Sequence, residues 1–279
     1  MSAPMLEFDR VSFAYRDHAV MENVSFAVER GEFVALLGSN GTGKSTILRL
    51  ADGLLHPTAG AVRVAGVDTA TVKTSDLART VGFLFQNPDR QICRNSVRDE
   101  IAFGLEALHG AADPRVKERT EEVLELLHLD GGADPFTLSK GQRQAVALAG
   151  LIAAEPDLLL LDEPTTGFDY AECMEMMAHI ESMNRAGTTV LMVCHDMEVV
   201  LDFAQRAIVM SGGAVIANAP VPAVFDNHAA LERADLLPPQ IGELSQRLAP
   251  AYPELAGIFE VDEMVQAVAG LVHAARNDV

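Results

Sequence analysis

The sequence is short of positive charge: 21 lysines and arginines stand against 40 aspartates and glutamates, a formal net charge of −19. Such a surface repels nucleic-acid phosphates and anionic lipid headgroups alike, so direct binding to either is not expected. Cysteine is scarce too. Cys93, Cys173 and Cys194 are odd in number and lack CxxC or Cys/His metal spacing, which argues against a disulfide framework and a zinc site and for a reducing, cytoplasmic compartment. Long apolar runs are also missing: the uncharged stretch 145–154 is roughly half of the ~20 residues a bilayer-spanning helix needs. The opening MSAPMLEFDR has no basic region followed by an apolar one, so no secretory signal is expected. Any membrane role is then peripheral and runs through a protein partner. Internal repeats and low-complexity tracts are absent as well.

What is present is enough apolar material, 49% of 279 residues, for one large domain and a small appendage. Alternating runs at 6–15, 24–28 and 32–37, separated by Gly, Asn and Asp, predict strands of an antiparallel flap. The apolar run Phe33-Val34-Ala35-Leu36-Leu37 enters a glycine-rich turn, and 44–53 then has helical character. Two helical patterns fill 96–129, a helical insertion, and Ser139 opens a third helix, 141–154, that stops before Pro156. Leu158 to Leu161 and Val190 to Val193 are apolar throughout, as strands covered on both faces are, and a helix at 171–185 between them completes a βαβ unit. A hairpin is predicted at 207–217, and Pro238-Pro239 marks a boundary before a final segment. The fold class is α/β.

Gly38-Ser39-Asn40-Gly41-Thr42-Gly43-Lys44-Ser45 fits the P-loop pattern in its required context, after a buried strand and before a helix, and Ser39 to Thr46 are the nucleotide-binding candidates. Glycines let backbone N–H groups wrap phosphates, the helix N-terminus adds its positive end, Lys44 reaches the β- and γ-phosphates, and Ser45 ligates magnesium. Asp162 and Glu163 fall at the C-terminal end of a buried strand, where open α/β sheets bind phosphates. Asp162 suits a magnesium partner, direct or through water, and Glu163 a general base on the attacking water. The plainer reading, acids that cap the next element, does not account for the P-loop upstream.

Leu138-Ser139-Lys140-Gly141-Gln142, shortly before the Asp-Glu pair, resembles the LSGGQ-like signature of the ABC ATPases, and the likeness covers about residues 5–225. It implies a P-loop NTPase of ABC ATPase type, with an antiparallel β flap and a helical subdomain at about 88–156, in a cassette at 1–235 followed by a C-terminal extension at 236–279. In that family two cassettes pair head to tail around two ATP molecules, each held between one P-loop and the partner's signature; Ser139, Lys140, Gly141 and Gln142 are then partner-subunit contacts. Lys140 stands where the pattern has glycine, which loosens the match. The resemblance further implies adenine stacking by Tyr15, a Q-loop role for Gln86 in the magnesium shell, a switch role for His195 at the γ-phosphate, and a dimer-interface role for Asp169. The other histidines show no mutual ligand spacing, and Met174, Met176, Met177 and Met183 read as helix core filler.

Phe85-Gln86-Asn87-Pro88-Asp89-Arg90-Gln91 is similar to the Q-loop of energy-coupling-factor importer ATPases and the related cobalt and nickel uptake ATPases. Leu236-Leu237-Pro238-Pro239-Gln240-Ile241 is similar to that group's short C-terminal extension. Implied partners are a second ATPase subunit, identical or paralogous, a membrane scaffold with arginine-containing coupling helices, and a substrate-binding membrane component, at the cytoplasmic face of the membrane. Asp89, Asp99 and Glu100 are candidates for pairing with those arginines. The cargo stays open among vitamins, cobalt and nickel. Other functional readings are the ATPase of another ABC importer class, a non-transport ABC protein and a soluble phosphotransferase; LSKGQ speaks against the last.

Overall fold

The computed structural model describes residues 3–277. The chain opens with antiparallel partners β1 (Leu6–Tyr15) and β2 (His18–Val28). Strand β2 begins earlier than the apolar run 24–28 suggests. Register shifts interrupt the ladder, and Arg10 and Asn23 adopt left-handed backbone at φ 51° and 52°. The Ser25 hydroxyl accepts from the Arg10 N–H at 2.8 Å and the Ser12 hydroxyl from the Asn23 N–H at 3.0 Å. Bulges of this kind shift the inward-facing set of side chains, which hides the strand from a strict period-two reading.

Next come β3 (Phe33–Leu37), α1 (Lys44–Ala51), β4 (Ala59–Val64), β5 (Val67–Asp68), the single turn α2 (Thr74–Leu77) and β6 (Val81–Leu84). The flap is a four-stranded sheet in the order β2-β1-β4-β5. A helical layer follows: α3 (Val97–His109), α4 (Pro114–Leu126) and α5 (Lys140–Ala154). Each of the three starts where the sequence offers a cap: Ser96, Asp113 before Pro114, and Ser139. The βαβ unit is β7 (Leu158–Asp162), α6 (Tyr170–Arg185) and β8 (Thr189–Val193), after which α7 (Met197–Phe203), β9 (Arg206–Ser211) and β10 (Ala214–Pro220) complete the second sheet. That sheet has the order β10-β9-β3-β8-β7-β6, with β10 alone antiparallel to its neighbour.

Its central strands β3, β7 and β8 are buried at every residue. The pleat explains why: Phe33, Ala35, Leu37, Leu159, Leu161, Val190 and Met192 join a core shared with the helical layer. Val34, Leu36, Leu158, Leu160, Leu191 and Val193 join a second core shared with the flap and α1. One sheet therefore serves two interiors, and its strands read as continuous apolar runs. The C-terminal ends of β3, β6, β7 and β8 emerge on one edge, and each is followed there by a candidate site residue.

The chain closes with α8 (Val221–Phe225), α9 (His228–Ala234), α10 (Gln240–Leu248) and α11 (Val261–Asn277). Helices α10 and α11 share a small core of Leu255, Ile258 and Met264. Phe259 ties it to the main body through Phe225, ring centroids 6.0 Å apart, and the Gln246 amide donates to the Phe225 carbonyl at 3.1 Å. No helix among the described residues is long and apolar enough to cross a membrane.

Candidate active site

Strand β3 delivers the chain into the P-loop. Gly38 has φ 145°, and a Cβ there would fall 2.4 Å from the Met210 carbonyl oxygen, so the loop passes too close to β9 for any side chain. Gly43, at φ 99°, precedes α1 without a side-chain cap, leaving the helix's first amides to face the loop. Lys44 is buried, and its Nζ donates to the carbonyl oxygens of Gly38 at 2.6 Å and Ser39 at 2.9 Å. The Thr42 hydroxyl donates to the same Ser39 oxygen at 2.9 Å. Ser39 and Thr42 thus hold the shape of the loop, while Asn40, Gly41, Gly43, Lys44, Ser45 and Thr46 line a cavity of about 550 Å³. Tyr15 and Val20 close it from the flap; Gln86, Glu163 and His195 close it from the sheet edge.

Glu163 is the carboxylate of the cavity lining, and Asp162 stands behind it against Ser45. Asp162, last residue of β7, is buried, and its Oδ1 accepts from the Ser45 hydroxyl at 3.2 Å. Burial raises its pKa above the ordinary range, against the Ser45 hydrogen bond and the positive charges of Arg49 and Lys44. Burial likewise lowers the Lys44 pKa, against the pull of Glu163 and Asp162. Each group is thus desolvated enough to favour a charged ligand that restores its partners. Glu163 has left-handed backbone, φ 53°, while its N–H still donates to the Val193 carbonyl at 3.0 Å. The kink turns its carboxylate between two neighbours: Gln86 Nε2 donates to Oε2 at 2.9 Å and His195 Nε2 lies 3.0 Å from Oε1. The Thr166 hydroxyl adds a contact at 3.3 Å.

Among the described residues no three His, Cys, Asp or Glu side chains gather into a metal cage. Oxygen donors from Ser45 and Asp162, with the Gln86 amide across the cavity, instead fit a small hard cation such as magnesium, which keeps water and takes its other ligands from phosphates.

Ser139 lies outside this cavity. It caps α5 by a reciprocal box: its hydroxyl oxygen accepts from the Gln142 N–H at 3.2 Å, and the Gln142 side chain accepts from the Ser139 N–H at 2.9 Å. The hydroxyl proton of Ser139 is left for another acceptor. Lys140 is exposed, and Gly141 is buried against Gly167, whose carbonyl oxygen a Cβ at Gly141 would approach to 2.7 Å. Asp169 caps α6, accepting from the Glu172 N–H at 2.9 Å.

The three acids singled out for a membrane partner sit differently. Glu100 is buried and its Oε2 accepts from the N–H groups of Cys93 at 2.9 Å and Arg94 at 2.8 Å. Its Oε2 thereby braces the loop, and Glu100 also borders a groove shared with Gln91 and Phe103. Asp89 is paired with Arg143 of α5 at 2.7 Å, and Asp99 is exposed at the start of α3. Sequence spacing missed Val20, the Asp89–Arg143 pair and the left-handed turn at Glu163, for which no local signal exists; only the FQNPD run hinted that Asp89 was special.

Residues 21–166 match the ABC transporter family. The energy-coupling factor transporter ATP-binding protein EcfA1 of Geobacillus kaustophilus is 40% identical over 275 residues, covering 95% of this chain and 97% of that protein. An ABC transporter ATP-binding protein of Caldanaerobacter subterraneus subsp. tengcongensis is 40% identical over 247 residues, 88% of this chain but 42% of the relative. The chain spans less than half the length of the first curated relatives it matches. Among solved structures, CbiO1 of Clostridium perfringens, described as part of the ABC transporter complex cbiONQ, has a TM-score of 0.73 at 26% identity, with 90% of this chain and 96% of that one covered. The ATP-binding cassette MJ0796, dimeric with ADP and Pi in a post-hydrolysis state, has a TM-score of 0.71 at 28% identity, with 78% and 99% covered.

Proposed function

Because the chain belongs to the ABC transporter ATP-binding family, we propose that it is the ATP-hydrolysing subunit of an energy-coupling-factor type importer of a micronutrient, working in a pair of cassettes beneath a membrane scaffold. The observation that carries the catalytic reading is a single carboxylate, Glu163, held between Gln86 and His195 on the wall facing the P-loop. The subtype reading is supported by a relative named for energy coupling that matches from end to end, extension included.

In the mechanism, Lys44 exchanges its bonds to the Gly38 and Ser39 carbonyls for oxygens of the β- and γ-phosphates, so the cradle is preformed and little ordering is needed. Tyr15, exposed at the rim, stacks on the adenine. Ser45, Asp162 and Gln86 would hold magnesium, which when bound would neutralise charge on the phosphate oxygens. Glu163 takes a proton from a water whose oxygen attacks the γ-phosphorus; the bond to the β–γ bridging oxygen breaks, leaving ADP and phosphate. His195 fixes the carboxylate and contacts the γ-phosphate.

Ser139 and its amide-rich helix end complete the site from the partner cassette, with Asp169 at the same interface. Closing and reopening this joint moves the scaffold's coupling helices and, through them, the substrate-binding component. An apolar groove of about 450 Å³ beside Gln91, Phe103 and Leu151, with Asp52 in its wall, supports a helix-docking surface next to the Q-loop. Affinity purification of the full chain from its own membranes tests the assignment. It predicts co-purifying integral membrane partners and ATP hydrolysis stimulated by their cargo; a chain that captures only soluble proteins, with no membrane component, overturns it.

A further inference from the structure

The C-terminal extension meets the catalytic wall where α10 begins. Residues 235–240 cross over the turn that follows β8, and between the two lies a cleft of about 430 Å³ bordered by His195, Asp196 and Glu198 on one side and Leu237, Pro239 and Gln240 on the other. Across it runs one hydrogen bond: the Gln240 N–H, first amide of α10, donates to Glu198 Oε1 at 2.8 Å. Glu198 lies in the first turn of α7, whose N-cap is Asp196, adjacent to His195; the Asp196 carboxylate accepts from the Glu198 N–H at 3.0 Å. The other end of the extension is anchored independently, through Phe259 on Phe225 and Gln246 on the Phe225 carbonyl.

From this geometry we infer that Glu198 is a positioning residue and that the extension, through the Gln240 N–H, holds the turn carrying His195 in register with Glu163. The open cleft matters to the argument. Leu236 packs the start of the crossing segment against the main core, but over the cleft itself packing cannot transmit position, so at Glu198 the constraint falls on the hydrogen bond. A helix-terminal amide is also a suitable handle, because the first N–H groups of a helix have no intrahelical acceptor and favour a carboxylate. Any movement of the extension then reaches the γ-phosphate side of the site through three residues of chain, and the appendage becomes a brace for the catalytic wall.

This inference rests on the catalytic reading of His195 and Glu163, and the test separates the two. Gln240→Pro removes the donor while keeping the helix, since proline is favoured at a first helical position and Pro239 already has the extended backbone, φ −50° and ψ 151°, that a following proline demands. Gln240→Ala keeps the N–H and serves as control. In the full-length chain, Gln240→Pro and Glu198→Ala are expected to lower kcat for ATP by about threefold to tenfold, the effect of one lost hydrogen bond, with KM unchanged and the melting temperature lowered by about 4 °C at most. Glu198→Gln, which retains an acceptor oxygen, restores most of the rate, and the double variant is no worse than either single one. The imidazole C–H resonances of His195 shift in Gln240→Pro and not in Gln240→Ala, a readout independent of turnover. Wild-type rates and unmoved His195 resonances in Gln240→Pro, beside a collapse in His195→Ala, overturn the brace and leave the catalytic site standing. Near-normal turnover in His195→Ala overturns the site itself.

Discussion

In the proposed mechanism the chemistry turns on Glu163, whose backbone is held where side chains other than glycine are uncommon, at a cost of order 1–3 kcal/mol. The strain aims a carboxylate that an extended continuation of β7 would point elsewhere. Glu163→Gln keeps the shape and loses the proton acceptor, so phosphate release is expected to fall roughly 100-fold or more with ATP still bound; near-normal single-turnover rates would falsify the assignment. Asp52 makes a second prediction. Burial lifts its pKa from 3.8 to about 7, so the native state keeps a proton that the unfolded chain releases from about pH 4 upward. Stability linked to this group is therefore full below pH ~4, declines as pH rises, and is lost above pH ~7. Asp52→Asn should flatten that decline and raise the melting temperature at pH 8, read by thermal unfolding between pH 4 and 8; an unaltered pH slope rejects it. The P-loop and the Asp162-Glu163 pair were legible because fixed spacing next to an apolar strand has few other uses. The turn at Glu163 and the environment of Asp52 were not, since both are created by elements distant in sequence.

At the scale of elements, the central strands announced themselves, because burial on both faces leaves only apolar residues. Strand β2 did not, because its pairing with β1 is interrupted by irregularities at Arg10 and Asn23, each held by a serine hydroxyl of the opposite strand. In β7, Leu160 is fully buried on the flap side, and Leu160→Ala should cost about 2–5 kcal/mol in urea unfolding. A loss below 1 kcal/mol would mean that the two interiors are not tightly filled. The Asp89–Arg143 pair joins the turn after Gln86 to the second turn of the signature helix. Asp89 is half exposed, so the link is worth little to stability and more to geometry. Asp89→Arg sets two guanidinium groups against each other and should uncouple cargo-stimulated hydrolysis while leaving nucleotide affinity and circular dichroism unchanged. Full stimulation in that variant removes Asp89 from the coupling route.

For the molecule as a whole, Ser139 stands outside the cavity that Lys44 lines. The proposal therefore requires two cassettes to make one complete site. Ser139→Arg should abolish ATP-induced pairing in a Glu163→Gln background, followed by sedimentation velocity, with ATP affinity of the single chain unaltered. Persistent pairing would place the signature elsewhere. The resemblance carried by LSKGQ is what suggested this composite arrangement, whereas the hydrogen bond between Gln240 and Glu198 follows no sequence pattern. The pleat of the second sheet adds a last consequence. Odd and even positions of the same strands look into separate fillings, so a side chain exchanged at one position disturbs one interior while its immediate neighbours in the chain answer to the other.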